Sequence, residues 1–229
     1  MSGLIRLHIT AEGQTEERFV RRILQPHLAL KNVFVDASSV TTSKDKKAGH
    51  TYRGGLISYE KAKKDIMDWI RQDNNPESHS STMFDLYALP DDFPGVQEAA
   101  RINDAYERVT FLEQSLAEDI DHPRFTAYIQ LFEFEALLFS DLDKFSLEYL
   151  EHAKAIEQLK QILQSFQNNP EMIDDGPNTA PSKRILTSIP EYSKAGSGVI
   201  IAVMIGLDQM RSMCRHFNDW ICLLEGLGE

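Results

Sequence analysis

Acidic side chains recur in this sequence directly after short apolar runs. Glu12 follows Leu4, Ile5, Leu7 and Ile9. Asp91 and Asp92 follow a run that stops at Pro90, and Glu133 and Glu135 follow the run over 125–131. If each run is a strand of one parallel sheet, the acids gather at its carboxyl edge, where open α/β sheets bind ligands. Clustered carboxylate oxygens suit Mg²⁺ or Mn²⁺, which combine carboxylates with water and substrate phosphate. Glu12, Asp91, Asp92 and Glu135 are therefore the candidate metal ligands, and Glu12 and Asp91 the candidate catalytic acids. No Cys/His spacing suggests zinc. Each group also has a plain alternative. Glu12 before Gly13 suits a polar turn, and Pro90-Asp91-Asp92-Phe93-Pro94-Gly95 is good turn chemistry by itself. Glu135, between Phe134 and Ala136, suits a solvent-facing helix position or a buried pair. Three acidic groups at one expected edge favour a shared site.

The basic residues form two islands. Lys44, Lys46, Lys47, His50 and Arg53 lie in an expected loop over 41–55, where ordinary solvated lysines are the simpler reading. Lys183 and Arg184 follow Pro181-Ser182, and Lys194 sits in Ser193-Lys194-Ala195-Gly196-Ser197-Gly198. These three are the candidate phosphate contacts, with Lys183 also a candidate catalytic cation. Thr15 opens the helix after Glu12-Gly13-Gln14, and helix amino termini attract anions. That turn lacks the glycines of a nucleotide cradle. His216 suits a helix junction better than proton transfer. Tyr87, Tyr128, Phe132 and Phe134 read as core.

The elements that must position these groups alternate. Strands are expected over 4–9, 33–40, 83–89 and 125–131, with helices after Thr15, over 57–70 and over 96–119. The residues 73–82 read as a linker rich in Asn, Ser and Pro. This order predicts an α/β fold with a largely parallel four-stranded sheet and helices on both faces. The expected division is an α/β core over 1–141 and a mainly helical C-terminal extension over 142–229 packed on it as one unit. The extension includes a helix over 158–167, a loop over 168–182 carrying Lys183 and Arg184 at its end, and two helices over 199–227.

The chain has 229 residues, 42% of them hydrophobic, which is enough for a real core. A net charge of -11 and a sequence pI of about 5.1 exclude a protein that coats nucleic acid by bulk charge. Contact with nucleic acid must then run through local basic patches or a metal ion. Cys214 and Cys222 read as buried thiols rather than a disulfide framework. The first ten residues do not read as a signal peptide, and no apolar run reaches membrane length. A cytoplasmic location is the default expectation.

Glu12-Gly13-Gln14-Thr15-Glu16, the Asp pair in Leu86-Tyr87-Ala88-Leu89-Pro90-Asp91-Asp92-Phe93-Pro94-Gly95, and Tyr128 through Glu135 leading into Ala136-Leu137-Leu138 resemble a Toprim-type arrangement. Toprim is the metal-binding domain of topoisomerases, primases and OLD-type nucleases. More closely, the chain resembles a bacterial family of Toprim-like domains of unknown function, often linked with mobile islands and phage defence. Asp175-Gly176-Pro177 through Lys183-Arg184 belongs to the same resemblance. It implies a Mg²⁺- or Mn²⁺-dependent nuclease acting on DNA or RNA, with Glu12 as ligand or general base. Toprim domains carry Asp-x-Asp after the third strand; here Asp91 and Asp92 are adjacent, so Glu135 or Glu133 would replace the missing ligand. The resemblance equally accommodates a non-catalytic effector that works with a separately encoded ATPase, since this chain has no ATP-binding motif. A homodimer is a further expectation.

Overall fold

The computed structural model describes residues 4–45, 50–53, 56, 58–173 and 179–229. The chain divides into two compact units, Met1–Ile129 with Cys222–Glu229, and Gln130–Ile221. Residues 130–141 fall in the second of these units.

In the first unit, β1 (Ile5–Ala11) leads through Glu12-Gly13 into α1 (Gln14–Phe19), a π-helical turn over Val20–Leu24 and α2 (Gln25–Ala29). β2 (Val33–Ser39) returns parallel to β1, with Ile5 opposite Val33 and Ala11 opposite Ser39. β3 (Thr41–Asp45) and β4 (His50–Arg53) pair antiparallel within the expected loop. α3 (Tyr59–Gln72) precedes β5 (Ser78–Asp85), which lies parallel to β1 on its other side, Arg6 opposite Ser78 and Ala11 opposite Met83. α4 (Val96–Ala99) and α5 (Ala105–Ile120) follow, then β6 (Phe125–Thr126) beside β5 and β7 (Ile129–Gln130). The main path of the sheet is β2-β1-β5-β6, and β1 is central. This is the expected α/β fold with a mostly parallel sheet. Central parallel strands are covered on both faces and read as near-continuous apolar runs; accordingly Leu7, Ile9 and Ala11 are buried, as are Val33, Val35 and Ala37 beside them. Phe19, Leu24, Leu28, Ile66, Val109, Leu112 and Leu116 supply the buried helical side chains.

The second unit is helical. α6 (Glu135–Leu138) lies in a stretch, 131–140, with every residue buried. α7 (Phe145–Glu148), α8 (Ala153–Ser165), α9 (Pro181–Ser188), α10 (Val199–Ile205), α11 (Leu207–Met213) and the start of α12 (Arg215–Gly226) follow in it, and α12 from Cys222 onward is counted with the first unit. Among the described residues no helix is long and apolar enough to cross a membrane.

Several sequence expectations change. The third strand runs over Ser78–Asp85, not 83–89, and Leu86–Ala88 form a 3-10 turn. The second half of the supposed linker, Ser78 to Thr82, is strand because the Ser81 and Thr82 hydroxyls are buried and paired. Ser81 Oγ donates to the Thr126 carbonyl at 2.7 Å, and Thr82 Oγ1 donates to the Tyr128 carbonyl at 2.9 Å while accepting the Tyr128 N–H. The long helix over 96–119 is two helices, with the Asp104 side chain accepting the Glu107 N–H at the start of α5. Lys183 and Arg184 ride on α9, which Pro181 opens, rather than in a loop. Tyr87 is 46% exposed, not core, and Cys222 is exposed while Cys214 is buried.

Candidate functional site

The acid that ends β1 is where the sequence put it. Glu12 donates its N–H to the Met83 carbonyl at 2.9 Å, so the ladder with β5 continues one residue past β1. Its side chain is buried, and Oε2 accepts the Asp85 N–H at 2.9 Å. Asp85, the last residue of β5, is itself buried. Two acids therefore end two adjacent parallel strands at their carboxyl edge, the place where such sheets present ligand sites. The helix that follows is capped by its own first turn: Glu16 Oε2 accepts the Gly13 N–H at 3.0 Å. Gly13, and not Thr15, is the cap residue; Thr15 is buried inside α1. Glu17 accepts the N–H and hydroxyl of Ser39 at 3.1 and 2.9 Å, tying the helix to the carboxyl end of β2.

Asp91 and Asp92 lie past the 3-10 turn, six and seven residues beyond the strand end, and both are exposed. Asp92 has a structural task. Its carboxylate accepts the Tyr59 N–H at 3.0 and 3.2 Å and the Ser58 hydroxyl at 3.4 Å, capping α3 from a distance. The turn that aims it needs Gly95, whose φ of 78° is left-handed and where a Cβ would come within 2.5 Å of Ser115 Oγ.

In the second unit the two strand-following glutamates meet α9 and the segment after it. Glu133 accepts the Ser182 N–H at 2.9 Å and the Ser182 hydroxyl at 3.1 Å, an N-terminal tether for α9. Glu135 is fully buried. Its Oε1 accepts the Tyr192 hydroxyl at 3.2 Å, and Oε2 lies 3.4 Å from Lys194 Nζ. Burial, and then the Glu135 charge, push the Tyr192 phenol well above its ordinary value. Phe132, just before this pair of acids, holds φ at 60°, unusual for an aromatic residue. Arg184 donates Nε to the Thr179 carbonyl at 2.6 Å and packs 5.5 Å over the Phe166 ring; Lys183 is exposed. Lys46, Lys47 and 174–178 lie outside the described residues.

The structure therefore brings Glu12 together with Asp85, Asp92 with α3, and Glu135 with Lys194 and Tyr192. Among the described residues no group of three or more His, Cys, Asp and Glu side chains is placed to hold a metal ion. Two acids went unnoticed in the sequence. Asp85 was hidden by a misplaced strand end. Glu171, fully buried, accepts the His216 and Phe217 N–H groups at 3.0 and 2.9 Å and so caps α12, which places His216 at a helix start.

These features define an α/β protein with a parallel sheet, a buried acid pair at that sheet's carboxyl edge and a separate helical unit. The family described as Domain of unknown function (DUF4276) matches residues 11–225, and the chain belongs to it. No curated protein and no solved structure matches the chain.

Proposed function

We propose that the chain is a Mg²⁺- or Mn²⁺-dependent nuclease of Toprim type that cleaves nucleic-acid phosphodiesters. The observation that carries this reading is the buried pair Glu12 and Asp85 at the ends of adjacent parallel strands. Mg²⁺ keeps several waters and takes one or two protein carboxylates plus substrate phosphate. Two oxygen-donor residues at one edge fit that incomplete shell, in which the phosphate supplies what the protein does not. Glu12 and Asp85 would hold the ion. Asp85 replaces the Asp91-Asp92 pair of the sequence reading, because Asp92 is committed to α3. When bound, the ion would activate water and stabilise charge on the phosphate. The Asp85 N–H fixes the Glu12 carboxylate at the edge before any ligand arrives.

Cleavage of plasmid, single-stranded DNA and RNA with each metal tests this, comparing the wild type with Glu12→Gln and Asp85→Asn. Metal-dependent cutting that both substitutions reduce by at least about 100-fold supports the nuclease. Cutting that survives both, in folded protein, overturns the assignment.

A second reading has its own observation. Asp92 and Glu135, two of the four expected ligands, are taken up by a helix terminus and by Lys194. That pattern favours a non-catalytic Toprim-like effector serving a separate ATPase, and a folded wild type that cuts nothing would support it.

A further inference from the structure

α1, the π-helical turn and α2 form one helical run over 14–29, and its outer face differs in charge from those of α3 and α5. Residues four apart on a helix are neighbours. The row that begins two residues after Glu12 is Gln14, Arg18, Arg22 and Pro26, and all four are exposed. Thr15, Phe19 and Ile23, one position on, are buried. The exposed side chains of the run include Arg18, Arg21 and Arg22 and no acid, since Glu16 is buried and Glu17 is half-buried against Ser39. α3 instead interleaves Glu60, Asp65 and Asp68 with its lysines, and α5 exposes Glu107, Glu118 and Asp119. The basic face is therefore local, in a chain with 24 Lys and Arg against 35 Asp and Glu.

The three arginines have different tasks. Arg21 is committed to the fold: Nε meets Glu17 at 3.2 Å, Nη1 meets Asp36 at 3.2 Å, and Nη2 donates to the Ala37 carbonyl of β2. Arg22 has no ion pair or side-chain hydrogen bond among the described residues. π turns are rare and recur at functional sites; this one spans Val20–Leu24, and Arg21 and Arg22 within it are both exposed. Along the helix axis Arg18 stands about 8 Å and Arg22 about 14 Å from Gly13. The row thus leads away from the acid pair, its two cations about 6 Å apart, the length of one or two nucleotides.

We propose that this outer row, through Arg18 and Arg22, is a track for the sugar-phosphate backbone of nucleic acid. The inference rests on the nuclease reading and names how that site holds its substrate. Guanidinium groups pair with phosphate oxygens in a planar fork. Acids at the strand ends and cations along the adjoining helix divide the work of a phosphodiester site between metal binding and strand binding. Two arginines fall short of the clusters of about four to eight cations that hold an anionic membrane. Backbone contacts carry no sequence information, so binding is indifferent to base order.

Fluorescence anisotropy of labelled oligothymidylate and of a labelled duplex, in EDTA, reads binding without cleavage. The wild type is expected to bind with a Kd of about 1–100 μM near physiological salt. Arg18→Gln/Arg22→Gln should weaken binding at least about tenfold. It should also flatten the slope of log K against log salt on the single strand by about 1.4, the loss of two phosphate contacts. Arg22→Gln alone should flatten it by about 0.7, which keeps the test open if the double variant does not fold. Arg18→Lys/Arg22→Lys should restore the slope. Lys61→Gln/Arg71→Gln removes the same charge from exposed positions on α3 and should change neither reading. The proposal is overturned if neither probe binds, if the folded glutamine variants bind as well as the wild type, or if the α3 variant weakens binding equally. A wild type that binds through this row and never cuts sinks the nuclease and leaves the track standing. Cutting with an unchanged KM in the double variant sinks the track and leaves the nuclease.

Discussion

Glu12 in the first unit and Glu135 in the second are both buried acids that follow a strand, and they are held by different chemistry. Glu12 is fixed by a backbone amide of the next strand, with a second acid, Asp85, at the same edge. Glu135 faces a cation and a phenol, Lys194 and Tyr192. A buried carboxylate beside a lysine is a neutral assembly, and it serves packing and specificity at a large desolvation cost. Two acids at the ends of adjacent strands are the arrangement that a bound cation would stabilise. The difference separates a structural glutamate from a candidate ligand even though their sequence contexts look alike. It is also why the proposed site sits in the first unit alone.

The sharpest way to break this contrast is to remove both kinds of acid and compare. Glu12→Gln and Asp85→Asn should each reduce metal-dependent cleavage by at least about 100-fold while leaving the thermal midpoint near the wild type. Glu135→Gln should do the reverse, lowering the midpoint and sparing the cleavage rate per folded molecule. Nuclease assays paired with thermal melts on the same preparations read both. A cleavage loss in Glu135→Gln that matches Glu12→Gln would erase the distinction.

Glu171 is the extreme of the structural kind and gives the largest stability effect. It has no exposed surface, and its two oxygens take two N–H groups at the start of α12. Glu171→Ala strands both donors and removes a negative charge from a helix amino terminus, and should cost about 3 kcal/mol. Urea unfolding measures it, and a change below about 1 kcal/mol would mean that water replaces the carboxylate.

The contrast also explains what the sequence could reveal. β1 was legible because Leu4, Ile5, Leu7 and Ile9 form an apolar run before a glycine turn, and Glu12 came with it. Asp85 was not. Ser78 to Thr82 has the composition of a loop, and only the pairing of Ser81 and Thr82 with carbonyls across the sheet makes it a buried strand. The apolar stretch Leu86-Tyr87-Ala88-Leu89 then looked like the strand, although it is a 3-10 turn and the approach to Pro90. The helical positions of Lys183 and Arg184 were signalled by Pro181, which suits a first helical turn. Glu171 had no local signal, since its partners lie 45 and 46 residues away. Period and turn chemistry are local and readable; a carboxylate's partner is a product of the fold.

His8 adds a pH dimension to the first unit. The folded ring takes its proton only near pH 4, because burial outweighs the raising effect of Asp36 on β2; Arg21, before α2, also lowers it, and Glu17 on α1 raises it. In the unfolded chain the same ring protonates near 6.5. Between those values the unfolded state binds more protons. Stability is therefore full above about pH 6.5 and falls as pH drops toward about 4, by up to about 3 kcal/mol from this residue. His8→Phe should remove that slope, and urea midpoints at pH 7 and pH 4.5 in both proteins measure it. An equal slope in the variant would assign the acid sensitivity to other groups.

The smallest effects expected are at Asp92 and Asp91, and they test whether the Asp pair is a turn device or part of the site. The Asp92 carboxylate takes the first N–H of α3 but is exposed, so water can take over much of the bond. Asp92→Ala should therefore cost about 1 kcal/mol, the ordinary loss of a helix cap, with little change in cleavage. Asp91→Ala, at an exposed position, should change stability by less than about 0.5 kcal/mol. If either substitution instead removed activity with the fold intact, the edge defined by Glu12 and Asp85 would have to extend past the 3-10 turn. The capping contact to Tyr59 would then be one that a bound ion breaks, and adding Mn²⁺ to the wild type would loosen the first turn of α3, which amide exchange at Tyr59 would detect.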